Sequence, residues 1–152
     1  MTTPEERSKF TRYLAACEDD IERVANAVDG LKSDDIDTPS MVKMLSTTAS
    51  LIIDTMKENV SILHSLVDAE TYDAPTVADR MSRHSAGLEF LKELANTTIE
   101  NAQEIPIAGR RMIVILRIAH LRDTAATMLD SNTACLVITF LTGKNTDNDA
   151  QS

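Results

Sequence analysis

The chain has 152 residues, 43% of them apolar and 26% charged, an ordinary globular balance for a single domain that excludes an intrinsically disordered chain. Its 4 Gly and 4 Pro are too few for the many turns of a β-sandwich or barrel. With 24 acids against 15 bases the net charge is −9, so most of the surface repels phosphate backbones and no nucleic-acid partner is expected.

Four segments carry a helical period. The first opens with Thr3, Pro4 and Glu6, where Thr3 can cap, Pro4 suits the first turn and Glu6 can close a capping box. Its apolar residues Phe10, Leu14, Cys17, Ile21, Val24, Val28 and Leu31 recur every three or four positions, one face of a helix. Asp29-Gly30 and the polar run from Lys32 to Asp37 read as an exit and a loop. The second helix follows Thr38-Pro39 and extends to about residue 70, some 48 Å at 1.5 Å per residue. Its stripe is Leu45, Ala49, Ile52, Met56, Val60, Leu63 and Val67, widened by Met44, Leu51, Ile62 and Leu66. The third follows Tyr72-Asp73-Ala74-Pro75. Its seam is Val77, Met81, His84, Leu88, Leu91, Ala95, Thr98 and Ala102, the alternation of four and three that bundle helices use.

The fourth segment runs from about Ile105-Pro106 to a capping glycine, Gly143. Its runs 112–116 and 134–141 are apolar around most of the cylinder. A helix apolar all round is buried all round, so this one is expected to be central, covered by a second chain, or partly strand, since both runs are rich in β-branched residues. The expected fold is therefore all-α, an antiparallel up-down bundle of about four long helices in one domain over 1–143, with a disordered polar tail over 144–152. No apolar run reaches the length of about 20 residues that spans a bilayer, and no leader-like segment follows Met1. A soluble, cytoplasmic protein with no membrane partner is expected.

The charge is uneven. Residues 1–37 hold ten acids and five bases, whereas 105–152 hold five bases and four acids, with arginines at 110, 111, 117 and 122. The simplest expectation is that these arginines pair with the acidic helices of the same bundle. Cys17 and Cys135 form neither a C-x-x-C nor a zinc spacing. Both lie in apolar stretches, where a free thiol behaves as a small hydrophobe, and whether they bond to each other is open.

Little in the chain points to catalysis. No Glu-x-x-His pair of the di-metal bundles is present, and three His with no shared spacing make a poor ligand set. No metal and no cofactor are expected. His84, followed by Ser85-Ala86-Gly87, has a limited resemblance to the histidine phosphotransfer bundles, which would imply an exposed phosphoacceptor. It departs from them because Gly87 comes one position early and no lysine follows. The alternative is a half-buried histidine bonded within the bundle. Glu18-Asp19-Asp20 with Glu22, and Glu89 with Glu93, bear on the all-α nucleotide pyrophosphatases, where helical carboxylates hold magnesium. Here the acids alternate with seam residues and are expected to face water. No nucleophile elbow, activated cysteine or phosphate-cradling glycine loop is present.

The reading best supported is a non-enzymatic bundle protein that works by protein–protein association, as an adaptor, chaperone or inhibitor, with a second copy of itself as the expected partner. Ile113, Leu116, Val137 and Leu141 are its expected interface or central packing residues. A second reading is a ligand-sensing bundle, with Arg111, Arg117, His84 and His120 as candidate ligands for an anion between helices. A third is an all-α phosphotransfer or nucleotide-hydrolase protein, which needs an exposed His84 or acids converging on one cleft.

Overall fold

The computed structural model describes residues 4–32, 39–69 and 73–142, with side chains through Phe140. The expected caps Thr3, Thr38 and Gly143, most of the first loop, the 144–152 tail and the Leu141 side chain lie outside the described residues. Four long helices follow one another: α1 (Pro4–Asp29), α2 (Ser40–Asp68), α3 (Ala74–Ala102) and α4 (Ala108–Leu136). A six-residue π-helical turn, Val137–Thr142, continues α4. Among the described residues there is no strand, and no helix is long and apolar enough to cross a membrane. Each helix packs on its neighbours around a closed ring, α1 on α2, α2 on α3, α3 on α4 and α4 on α1. This is an antiparallel four-helix bundle.

The stripes read from sequence account for most of the core contributed by α1, α2 and α3. Seven of the eight α3 seam residues are buried, and only Met81 is partly exposed. In α2 the buried apolar residues are Val42, Leu45, Ala49, Ile53, Met56, Val60, Leu63 and Val67, with Ser46 and Asn59 buried beside them. Ile53 therefore takes the inward place expected of Ile52, and Met44 and Leu51 face water at 71% and 63% exposure. The methionines divide accordingly: Met56 and Met128 fill the core, while Met44 and Met112 lie outside it.

Helix α4 departs from expectation in its placement. It is helical through both β-branched runs, so the strand alternative does not hold for 112–116 and 134–136. It is not central either. One stripe alone, Ile118, Leu121, Ala125, Met128 and Asn132, is buried, so Ile113, Leu116 and Val137 do not form the central packing that was one of their two expected roles. For Ile113 and Leu116 the register supplies a reason. Asn132 of α4 bonds Asp20 of α1, and the two helices run antiparallel, so Asp29 at the end of α1 lies about level with residue 123. The first turns of α4 extend beyond α1 and have only one flank against the bundle. At the other end the π-helical turn docks through Phe140, whose ring lies 5.2 Å from that of Phe10 and 6.1 Å from that of Tyr13.

Candidate functional site

Opposite its buried stripe, α4 presents a second one. Ile113, Leu116, His120, Asp123, Thr127, Asp130, Ala134 and Val137 alternate by three and four, and every one is exposed. Met112 and Ile138 lie beside its two ends at 62% and 68% exposure. Ile113 and Leu116 are 54% and 62% exposed and Val137 is 43% exposed. The stripe is apolar at both ends and polar in the middle. The nine large apolar residues described as exposed include five of α4 and its π-helical turn (Met112, Ile113, Leu116, Val137 and Ile138), with Ile107 just ahead of them.

A shallow groove of about 370 Å³ follows the edge of this face between α1 and α4. Arg23, Asn26, His120, Asp123, Thr127 and Met128 are among its lining residues. Its charges are mostly engaged: Arg23 bonds Asp19 at 2.8 Å, and Arg122 bonds Asp123 at 2.9 Å.

The four candidate ligand residues do not converge. Arg111 is half-buried, and its Nη1 donates to the Ile105 carbonyl at 3.2 Å. It thereby satisfies a free carbonyl just before α4, whose first turn contains no acid to balance the positive end of the helix dipole. Arg117 is exposed, and His120 lines the groove. Pairing of the α4 arginines with acids of other helices is not found among the described residues; Arg122 pairs with its own neighbour.

His84 is sealed in the core at 0% exposure, more deeply than the half-burial expected of it, and cannot meet a ligand or a receiver domain. Its Nε2 lies 2.9 Å from Asp20 Oδ2. An ionised carboxylate only accepts, so Nε2 carries the hydrogen. Asn132 donates through Nδ2 to the same Asp20 oxygen at 3.4 Å and toward Cys17 Sγ at 3.8 Å. Ser85 Oγ donates to Asn132 Oδ1 at 3.1 Å, and the Tyr13 hydroxyl donates to the Met81 carbonyl at 3.3 Å. His84 Nδ1 has no partner among the described residues. Burial pushes the Cys17 thiol up to about 12 and raises the Tyr13 phenol as well, so neither is a nucleophile near neutrality.

Asp20 corrects the expectation that the α1 acids face water: it is 3% exposed, while Glu18, Asp19 and Glu22 are outside. The remaining acids are dispersed. Glu18 bonds His64 at 2.6 Å and Glu89 bonds Lys92 at 3.0 Å. Among the described residues no three His, Cys, Asp or Glu side chains are placed to hold a metal ion. The buried cluster ties α1, α3 and α4 together at one level, which is a structural task. Comparison with protein families, curated proteins and solved structures finds nothing that matches this chain.

Proposed function

We propose that this is a non-enzymatic helical-bundle protein that acts by protein–protein association, of adaptor, chaperone or inhibitor type, and that the outer face of α4 is its docking surface. The observation that carries the reading is the exposure of Met112, Ile113, Leu116, Val137 and Ile138 on α4 and the π-helical turn that continues it. These chains form two exposed apolar groups on one side of the bundle, and grouped rather than scattered apolar exposure marks interaction sites. Both cysteines are free, which fits a reducing, cytoplasmic setting.

The test is native mass spectrometry of the untagged protein from its own cells, with Leu116→Glu alongside. The wild-type chain is expected as a complex with protein mass. Leu116→Glu is expected at the mass of the single chain, with unchanged helical circular dichroism and stability within about 0.5 kcal/mol, as for a surface change. A wild-type chain found as a bare monomer, or as a monomer carrying a small-molecule mass, refutes the docking role. The small-molecule result would favour the second reading, a sensing bundle, for which the groove beside His120 and Arg23 is the observation in support.

A further inference from the structure

The residue types along the α4 stripe are self-complementary in an antiparallel pair. The members of the stripe are Ile113, Leu116, His120, Asp123, Thr127, Asp130, Ala134 and Val137. They are placed evenly about position 125. An antiparallel copy centred there sets Ile113 against Val137, Leu116 against Ala134, His120 against Asp130 and Asp123 against Thr127, each pair occurring twice. Met112 and Ile138, both exposed, match in the same way just outside the stripe. Apolar residues meet apolar ones, and an imidazole ring meets a carboxylate to which its N–H can donate. A twofold interface requires this kind of self-complementarity, in which one patch answers itself.

We propose that the partner of the α4 face is a second copy of this chain, bound through an antiparallel α4–α4 seam with His120 of each copy facing Asp130 of the other. The inference rests on the docking role of α4 proposed above and adds the partner and the register. Alternation of three and four is the spacing of helices that cross at about 20° and stay in contact over their length. From Ile113 to Val137 that contact is about 36 Å long. A strip of that length and about 10 Å wide buries roughly 360 Å² per copy, less than the roughly 600 Å² per partner at which stable specific interfaces begin, and the groove lined by Arg23 and Asn26 adds surface on one side. The association is therefore expected to depend on concentration. The polar middle of the seam fixes its register, because sliding one copy by a turn sets charged groups against the apolar ends.

Sedimentation equilibrium of the full-length chain over a concentration series, with two variants, tests this. The wild type is expected to move from monomer to dimer. His120→Asp sets two carboxylates against each other at each of the two sites and is expected to weaken the dimer about tenfold. The double variant His120→Asp with Asp130→Lys restores an opposite pair and is expected to return the affinity to within about twofold of wild type. Within one chain the two positions are about 15 Å apart along the helix, so the rescue can only act between copies. A wild-type dimer that His120→Asp leaves intact, or that the double variant fails to restore, overturns the proposal. A wild-type monomer at every concentration also overturns it. In that case the mass of the native complex, and its loss in Leu116→Glu, still decide separately whether α4 docks a different protein.

Discussion

Asp20 brings a carboxylate into the core at 3% exposure, and it is tolerable there because His84 and Asn132 both donate to it. Removing one member of such a group leaves the others buried without partners, which costs far more than the group's net contribution to stability. Asp20→Ala is expected to lower the unfolding free energy by about 3 kcal/mol, read from urea titration; a loss below about 1 kcal/mol would mean that the cluster does not hold the bundle. Cys17 lies beside it and makes a separate prediction. Its thiol is held up to about 12 by burial, whereas the unfolded chain ionises near pH 8.5. Between these values the native state keeps a proton that the unfolded state has lost, so stability is level below about pH 8.5 and falls as pH rises toward 12. The slope just above pH 9 is expected to approach about 1.4 kcal/mol per unit. Cys17→Ser should flatten it, and a slope unchanged in that variant would assign it to another group.

At the scale of the element, α2 and α3 approach closely where α3 has no side chain. A Cβ at Gly87 would stand 2.8 Å from Met56 Cγ and 2.9 Å from its Sδ, and Met56 is itself buried at 3% exposure. Alanine would gain about 1 kcal/mol of helix propensity and lose about 1–3 kcal/mol to overpacking. Gly87→Ala is therefore expected to destabilise by about 1 kcal/mol, measured by chemical denaturation. A gain instead would show that Met56 swings out into the groove between α2 and α3 that the two residues line. Periodicity made most element faces legible. The α3 seam was readable almost entire, because an alternation of three and four specifies one face. Asp20 was readable in principle: Tyr13, Cys17, Asp20, Val24, Ala27 and Leu31 alternate by four and three and are all buried. It was missed because adjacent acids at 18, 19 and 22 make the whole run look solvated. Asn132 likewise continues the seam of Ile118, Leu121, Ala125 and Met128, but a polar residue at a seam position gives no sign of whether the interior holds a partner for it.

For the whole molecule, the sequence determined that the chain is all-helical, that it has about four long helices, and which face of the first three turns inward. These properties follow from local period and from the scarcity of breakers, and each needs only neighbours along the chain. It also marked Ile113, Leu116 and Val137 as unusual. Whether they were central or outside was a tertiary decision, because apolar runs around a cylinder say only that water is excluded, not by what. Packing of α4 on α1 and α3 in the ring leaves its opposite side facing outward along its length. Tertiary structure likewise gave His84, a seam residue by its period, its partner Asp20 across the core, since contacts between residues distant in sequence depend on helix register, which no local pattern encodes.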